Sequence, residues 1–193
     1  MSKIVIKITP KVLNYKETEI HGCLFRCYKS GKVERQLMTT NQHGKKGDFR
    51  RCDNNKPRYD KRSDRYEIQI SVNGKRYYLL HRIIYFAFNP TFDFYNPKIQ
   101  IDHINRDSLD NRISNLREAT HGENQRNTKA HKNNKLGLKN IRDRETRWVV
   151  QIMKDGQKVV DRCFPKDLYT LDDVILFRDD KLLEYHGEFA NIE

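Results

Sequence analysis

The clearest alternation of apolar and polar residues in this chain lies between residues 66 and 79. Residues 66–72 alternate up to an Asn-Gly pair at 73–74, and a second run of strand-forming residues follows it. Asn-Gly between two such runs is the strongest short-range signal of a β-hairpin. The apolar run HRIIYFAF, residues 81–88, then stops at Asn89-Pro90. Because a helix usually ends before a proline, this run predicts a short buried helix.

A second regular pattern covers the last third of the chain, beyond a polar linker at about residues 128–135. It predicts three strands and a turn at Asp155-Gly156 between the last two. An amphipathic helix is predicted from Leu171 to Tyr185, ending at His186-Gly187, because glycine favours the conformation that closes a helix. The three strands are predicted near residues 138–142, 147–154 and 157–164.

The N-terminal third carries weaker signals. Apolar residues at every second position from Ile4 to Ile8 predict a strand within residues 1–30. The stretch 38–64 is polar, basic and glycine-bearing, and it predicts a long loop. Long loops inside compact domains are uncommon unless they are functional or disordered. Two interpretations stay open: an arm that follows DNA through Lys45 and Lys46, or a surface loop without that role.

The charge of the chain narrows the classes of function. The 193 residues include 38 Lys and Arg against 26 Asp and Glu, a formal charge of +12. Residues 161–193 hold four basic and nine acidic residues, a net charge of −5, so residues 1–160 carry +17. This bias favours a polyanionic partner, with nucleic acid as the first candidate. A membrane is disfavoured, because no apolar run approaches the roughly 20 residues that span a bilayer and no basic amphipathic helix is evident.

Four cysteines and the N-terminus bear on compartment and on structural metal. Cys23 and Cys27 stand four apart, with His21 before them and His43 and Cys52 after them. This spacing matches no common zinc module, so zinc is disfavoured, although the sequence does not decide whether these residues bind a metal. The N-terminal stretch MSKIVIKITPK has too short an apolar run for a signal peptide. We expect an intracellular, non-secreted protein with reduced thiols.

Candidate chemistry concentrates in residues 101–127, IDHINRDSLDNRISNLREATHGENQRN. This segment places the pair Asp102-His103 ahead of Asn115 and Asn124. A carboxylate and an amide oxygen suit Mg²⁺ or Mn²⁺, which prefer oxygen ligands. An imidazole with a pKa of about 6.5 is largely neutral at physiological pH and can take a proton from a water that attacks phosphorus. The set predicts metal-assisted hydrolysis of a phosphodiester.

The pattern around this motif is strand, turn, strand and helix. Ile99 and Ile101 predict the strand that delivers the Asp-His pair. Residues 113–119 predict the second strand, and residues near 121–130 predict the helix that brings Asn124 back to the pair.

The longer pattern, DHI followed by NRISNLR and ENQRN, resembles the HNH homing endonucleases, ββα-metal nucleases carried by phages, mobile introns and some large viruses. The resemblance implies that Asp102 and Asn124 bind the divalent ion, with Mg²⁺ preferred to Mn²⁺. It also implies that His103 is the general base and that Asn115 ties the hairpin and helps to orient His103. Asn127 shares a helix face with Asn124, but the family spacing favours Asn124 as the ligand.

Other residues take roles from the same resemblance. Asn111 matches a recurrent asparagine that supports the turn, and His81 is expected to be a structural residue at the start of the helix. Arg117 and Arg126 are candidates for phosphate contacts, and the alternative of a solvated basic face stays open. The motif begins Asp-His where the family name implies His-His, a variant that many intron-associated members share, so we expect activity to be retained.

The predicted C-terminal sheet, its helix and the ending HGEFA resemble the APETALA-type DNA-binding domain that often follows HNH homing nucleases. In that family the sheet lies in the major groove and its Arg and Trp side chains contact bases and backbone. Trp148 has a second interpretation as a core residue. Arg178, Lys181 and Leu182 stand where that family favours alanine, so helix packing is expected to differ locally. The implied DNA contacts are Arg142, Arg147 and Trp148, with Arg144, Lys154, Lys158 and Arg162 as phosphate contacts.

Together these patterns predict an α+β fold. A ββα-metal nuclease finger is expected after a β-rich N-terminal region and before a three-stranded sheet packed on one helix. The domain boundaries are expected at 1–64 for the basic N-terminal region, 65–131 for the hairpin, helix and nuclease, and 132–193 for the DNA-binding domain.

The expected function is a sequence-specific endonuclease of the homing type that acts on double-stranded DNA with one divalent ion. One ion and one base suit one strand, so nicking is the minimal activity, and a monomer or weak dimer is expected. The alternative is a catalytically inactive DNA-binding regulator built from the same modules. An RNA-binding protein is disfavoured, because the chain lacks the stacking motif of RNA-recognition sheets. If phage-encoded, the protein would work in a bacterial cytoplasm.

Overall fold

The computed structural model describes residues 14–54, 56–61, 65–72, 76–131 and 133–192, without the side chains of Arg65, Val72 and Arg76. The predicted strand at Ile4–Ile8 lies outside these residues. The chain divides into two compact units. The expected boundaries at residues 64 and 131 stay a prediction. Unit 1 comprises Met1–Phe94 and Leu109–Ser114, and unit 2 comprises Tyr95–Ser108 and Asn115–Glu193.

Unit 1 contains a four-stranded antiparallel sheet whose strands pair in chain order. Cys23, Phe25 and Cys27 are buried at every second position of one strand, which puts them on one face of the sheet. The first hairpin turns at His21-Gly22, where φ is positive at both residues (49° and 76°), the conformation of a tight two-residue hairpin turn. The strands are β1 (Tyr15–Ile20), β2 (Cys23–Tyr28), β3 (Val33–Gln36) and β4 (Phe49–Arg51).

The long loop predicted at 38–64 is wrong in part, because this stretch contains β4 and a further strand, β5 (Arg58–Asp60). β4 pairs antiparallel with β3, so the backbone of a basic stretch is hydrogen bonded in the sheet. Phe49 is the one apolar residue of β4, and its ring centroid lies 3.6 Å from the Arg26 guanidinium carbon. One apolar residue is too little for a periodicity signal, which explains the missed strand.

The predicted hairpin is confirmed for residues 69–79, although its turn at 73–75 lies outside the described residues; residues 66–67 belong instead to a separate strand. β7 (Gln69–Val72) pairs antiparallel with β8 (Arg76–Leu79), and β5 pairs with β6 (Arg65–Glu67). The predicted helix is also confirmed, as α1 (Leu80–Phe88). It buries residues at positions i, i+3, i+4 and i+7, the stripe of an amphipathic helix. These residues are Leu80, Ile83, Ile84 and Ala87.

Unit 2 begins with a small ββα arrangement that we call the finger. It consists of β9 (Gln100–His103), β10 (Leu116–Ala119) and α2 (His121–Arg126), with β9 and β10 antiparallel. The second strand is shorter than predicted, because Ile113–Asn115 form a 3₁₀ turn. α2 begins with a capping box between Thr120 and Glu123 and ends four residues before the predicted position.

The predicted three-stranded sheet packed on one helix is confirmed in the rest of unit 2, which we call the C-terminal layer. Its strands pair in the order β11 (Ile141–Asp143), β12 (Arg147–Lys154) and β13 (Gln157–Pro165), and its helix is α3 (Leu171–His186). β11 is shorter than the predicted strand at 138–142. The apolar core between sheet and helix contains Ile141, Val150, Ile152, Val160, Phe164, Val174 and Leu182.

Arg178, one of the three helix residues noted in the sequence, is 1% exposed in α3. Its Nε donates to Asp179 Oδ1 at 2.6 Å, and Nη1 donates to the Lys139 carbonyl at 3.3 Å. A buried guanidinium thus has both a counter-ion and a backbone acceptor, as burial of a charge requires. Separately, no helix among the described residues is long and apolar enough to cross a membrane.

Candidate active site

The finger brings the predicted metal ligand and the predicted base to the end of one strand. Asp102 and His103 close β9, and the strand pairing sets Arg117 opposite Asp102. Asp102 is 4% exposed and His103 is 3% exposed. Both side chains are therefore almost completely buried. The apolar side chains that the hairpin buries are Ile101, Leu116 and Ala119.

Two side chains hold the Asp102 carboxylate. Arg117 donates from Nε and Nη2 to Oδ2, at 2.9 and 2.8 Å. Asn127 Nδ2 lies 3.1 Å from Oδ1 and 2.9 Å from Oδ2. Three of these four hydrogen bonds end on Oδ2, so Oδ1 is the less engaged oxygen. Because charge-assisted bonds are the strong ones, the carboxylate is held in a single orientation.

Asn127 connects the end of α2 to the end of β9 through hydrogen bonds. Its Nδ2 also donates to the carbonyl oxygen of His103 at 2.9 Å, and the side chain is 4% exposed. The amide therefore presents N–H groups to the carboxylate, which positions Asp102. Sequence reasoning had considered Asn127 only as a second-choice ligand. No signal in the sequence indicates this role, because a helix over residues 121–130 would place Asn127 inside it, whereas the structure places Asn127 at its C-cap.

Asn124 lies over the face of β9 that carries Asp102. Its Nδ2 donates to Gln100 Oε1 at 2.6 Å. Gln100 and Asp102 are two residues apart on a strand, so their side chains share a face. Asn124 is partly exposed. Its assignment as a metal ligand stays a prediction.

Asn115 bridges the turn that follows His103. Its Oδ1 accepts from the Asn105 N–H at 3.0 Å, and its Nδ2 donates to Asn105 Oδ1 at 2.9 Å. Its backbone carbonyl accepts from the Ile104 N–H at 2.9 Å. These bonds fix the backbone directly after His103, which supports the expected orienting role.

Both arginines proposed as phosphate contacts in the finger bind carboxylates instead of facing solvent. Arg117 is engaged by Asp102, with 13% of its side chain exposed. Arg126 Nη2 donates to Asp155 Oδ1 at 2.6 Å, with 14% of its side chain exposed. Neither occupies the open position that a phosphate contact needs, so a contact with DNA would require rearrangement.

The C-terminal sheet divides the predicted DNA contacts between its two faces. Trp148 pairs with Phe164 and packs against the core on the helix side, which agrees with its interpretation as a core residue. Arg142 lies opposite Val149 on the other side, which we call the outer face. Arg147 and Lys158 are exposed on the outer face. Arg144 is exposed in the turn before β12, and Lys154 is partly exposed at the end of β12. Arg162 lies over the rings of Phe164 and Phe177.

The other predicted residues belong to unit 1. Lys45 and Lys46 are exposed in the turn before β4, and His81 is the second residue of α1. Asn111 is 6% exposed and packs against Gly31. A Cβ at Gly31, where φ is +88°, would come within 2.9 Å of the Asn111 carbonyl carbon, so this close approach requires glycine.

Lys139 supports the finger and was not found from the sequence. Its Nζ donates to the carbonyl oxygens of Gln125 at 2.7 Å, Arg126 at 2.9 Å and Thr128 at 3.1 Å. The ammonium thereby satisfies the carbonyl end of α2. Burial lowers the pKa of Lys139 to about 8, and the nearby charge of Arg106 adds to the effect. One lysine after a polar linker has no periodicity, so its partners were invisible in the sequence.

The residues considered for zinc are built into unit 1 in other ways. Cys23, Cys27 and Cys52 are buried, and burial raises the pKa of the Cys27 and Cys52 thiols. His21 Nε2 lies 2.7 Å from the Tyr78 hydroxyl, and His43 is exposed. Across the described part of the chain, no group of three or more His, Cys, Asp or Glu could hold a metal ion.

The described residues of the finger do not offer the ligands of zinc, but the Asp102 carboxylate and the Asn124 amide oxygen are of the type that binds a hard divalent cation. Such a cation takes oxygen ligands and keeps several waters, so two protein ligands are sufficient. The division of bonds at Asp102 supports the fit: Oδ2 is held by Arg117 and Asn127, while Oδ1 accepts a single bond of 3.1 Å.

A family model and a solved structure are similar to this chain. A solved structure described as DNA binding and cleavage by the HNH homing endonuclease I-HmuI matches over 89% of this chain and 91% of that chain, with 18% identity and a TM-score of 0.38. A search of curated proteins found no match. The HNH endonuclease family model matches residues 78–126, less than half of the chain. Residues 78–126 therefore carry an HNH endonuclease domain.

Proposed function

We propose that the protein is a sequence-specific DNA endonuclease of the homing type that uses one divalent metal ion. One observation carries the proposal: Asp102 and His103 end the same strand, inside the residues that match the HNH endonucleases, with the amide of Asn127 on the carboxylate. In metal-assisted phosphodiester hydrolysis, a carboxylate can bind the metal ion and an imidazole can take the proton of the attacking water.

In the proposed mechanism, His103 removes a proton from the water that attacks phosphorus in line with the leaving 3′ oxygen. Asn115 holds the backbone after His103 and thereby its imidazole. Asp102 and Asn124 would hold the cation, and Arg117 fixes the orientation of the Asp102 carboxylate. When bound, the divalent ion stabilises the charge of the phosphate and of the departing 3′ oxygen.

DNA is proposed to lie across the outer face of the C-terminal sheet. Arg142 and Arg147 are exposed there, on strands whose opposite face is buried against α3. Lys158 adds a positive charge, although Asp161 lies 2.7 Å from its Nζ and partly offsets it. Arginine recognises guanine through two hydrogen bonds, so Arg142 and Arg147 are the candidates for base contacts. In unit 1, Lys45 and Lys46 are proposed to contact phosphates.

The finer features of the proposal follow from the donor set and the resemblance. Mg²⁺ is the proposed ion, since every proposed ligand is an oxygen atom. One base and one ion act on one strand, so we propose nicking by a monomer or weak dimer. A mobile intron or phage is the proposed source, which would place the enzyme inside the host cell.

The test is to incubate the protein with a supercoiled plasmid library that carries random inserts. We expect site-dependent nicks with Mg²⁺ that a chelator abolishes. Asp102→Asn should lose nicking because the amide is a neutral and weaker ligand, whereas Asp107→Asn, a change at an exposed neighbour, should keep it. Sequencing the nicked ends would give the target site.

The alternative, a DNA-binding regulator without catalysis, makes a distinct prediction for the same experiment. It predicts tight binding to one insert without nicks under every metal tested. That outcome would replace the nuclease proposal and leave the proposed DNA-binding face in place.

A further inference from the structure

We propose that the C-terminal segment 187–191 positions Asp102 by holding Arg117, so that the last turn of the chain belongs to the active site. The inference rests on the proposed function and extends it to residues outside the matched stretch 78–126. In this proposal Arg117, Phe189 and Asn191 are positioning residues.

One guanidinium joins the carboxylate to the C-terminal segment. Arg117 donates from Nε and Nη2 to Asp102 Oδ2, and its Nη1 donates to the Glu188 carbonyl oxygen at 2.6 Å. The Phe189 ring centroid lies 3.8 Å from the Arg117 guanidinium carbon, and Phe189 is 7% exposed. The carboxylate, the carbonyl and the ring thus restrain the group from separate directions.

A second side chain of the segment fixes two other parts of the finger. Asn191 Oδ1 accepts from Arg106 Nη1 at 3.0 Å, and Asn191 Nδ2 donates to the Thr128 carbonyl oxygen at 2.7 Å. Asn191 is 3% exposed. Arg106 lies in the turn after His103 and Thr128 lies just beyond α2. The segment therefore contacts the second strand, the turn and the helix end of the finger.

These contacts matter because an arginine side chain is long and has many rotamers. Arg117 bound to Asp102 alone would let the pair move together. A carbonyl and a ring on the far side restrict the guanidinium, and so restrict the carboxylate that it holds. Groups that orient a metal ligand commonly change metal affinity or activity by 10- to 100-fold when they are altered.

The experiment compares phenylalanine variants in the full-length protein. Phe189→Leu removes the ring but keeps an apolar side chain, and Phe189→Tyr keeps the ring. Phe177→Leu is the matched control, because Phe177 packs against the C-terminal core, where its ring contacts Phe164. Arg117→Lys keeps the charge but loses the fork that reaches Asp102 and Glu188 at once.

We expect Phe189→Leu to lower the single-turnover nicking rate by roughly tenfold, the lower end of that range, and to raise the Mg²⁺ concentration for half-maximal rate. Arg117→Lys should have the larger effect. Phe189→Tyr and Phe177→Leu should keep the wild-type rate and Mg²⁺ dependence. DNA affinity measured with chelator present should be equal in all four variants.

Hydrogen exchange supplies a readout that needs no activity. Amides of β9 and β10 should exchange faster in Phe189→Leu than in Phe177→Leu at equal global stability. If wild-type protein does not nick, the proposed function fails, while this exchange comparison still tests whether the C-terminal segment 187–191 holds Arg117 and the finger. Equal exchange and equal Mg²⁺ dependence in the two leucine variants would overturn the inference, even if wild-type protein nicks DNA.

Discussion

The finger and the C-terminal layer belong to the same unit but are held together by different forces. In the C-terminal layer, a contiguous apolar core encloses Val150 and Ile152 completely. In the finger, none of the six residues of α2 is buried. The helix is fixed instead by the polar contacts of Asn127 and Lys139 at its C-terminal end. The C-terminal layer is therefore held mainly by apolar area, whereas the helix of the finger is held mainly by directed hydrogen bonds.

This difference teaches how stability and positioning are divided in the molecule. Burial of apolar area is non-directional, so it stabilises a fold without fixing any one donor atom. Hydrogen bonds to a charged group are directional, and they orient Asp102 through Arg117. We expect the C-terminal layer to set the global free energy of unfolding and the finger to open locally at lower cost.

The largest expected effect is on the apolar core. Ile152→Ala should lower the free energy of unfolding by about 2–5 kcal/mol, because it removes buried methylene groups and leaves a cavity. Met153→Ala, at the exposed neighbouring position, should change it by less than about 0.5 kcal/mol. Urea unfolding measures both. Equal losses in the two variants would contradict a C-terminal layer held by its core.

The finger should respond to the loss of one amide. Asn127→Ala removes the donor shared by Asp102 and the His103 carbonyl, and should weaken the finger by about 1–3 kcal/mol as those acceptors lose their partner. Hydrogen exchange at β9 should accelerate more than the urea midpoint falls. Asn124→Ala, three residues away, should leave exchange at β9 unchanged and abolish Mg²⁺-dependent nicking. Similar exchange in both variants would contradict the distinct roles.

The sequence predicted some elements of the structure and missed others. The hairpin, α1 and the C-terminal layer were predicted, because their apolar residues recur with a period that one element's geometry demands. β4 and β5 were missed, since polar strands such as Phe49–Arg51 are formed by pairing with a neighbour. Their apolar content is too low for any pattern.

The motif residues were found in the sequence, but their partners were not. Asp102 and His103 were identified from a local pattern. Arg117 and Asn127 reach Asp102 from 15 and 25 residues away, and Lys139 reaches the end of α2 across the linker. Side-chain partners at such separations depend on how the strands register and where the helix ends. Neither feature can be read from spacing alone.

The exposed thiol of Cys163 tests whether DNA lies on the outer face, with a smaller expected effect than the variants above. Cys163 is exposed on β13, opposite Val149, whereas Cys23, Cys27 and Cys52 are buried in unit 1. Burial also raises the pKa of Cys27 and Cys52, which disfavours the reactive thiolate. A maleimide should therefore label one thiol in the native protein. Bound DNA should slow that labelling; an unchanged rate with DNA at saturation would place the DNA elsewhere.

The smallest expected effect concerns acid stability. Burial lowers the pKa of His186 below its ordinary value, and the charges of Arg126, Lys139 and Lys154 add to this. The unfolded chain therefore takes up the proton first as the pH falls. Stability linked to His186 is complete above a pH of about 6.5 and declines as the pH falls towards the lowered pKa. His186→Gln should flatten this part of the profile in urea unfolding; an unchanged slope would exclude His186 as its source.

The most direct measurement of the central claim is the single-turnover nicking rate of His103→Ala beside that of His121→Ala. His121 is exposed on α2 and serves as a control for losing a histidine in the same finger. If His103 is the general base, its removal lowers the rate by about 10²- to 10⁴-fold while DNA affinity stays constant. His121→Ala should then nick like the wild type. Equal rates for the two variants would contradict the assignment of the base and, with it, the proposed catalytic centre.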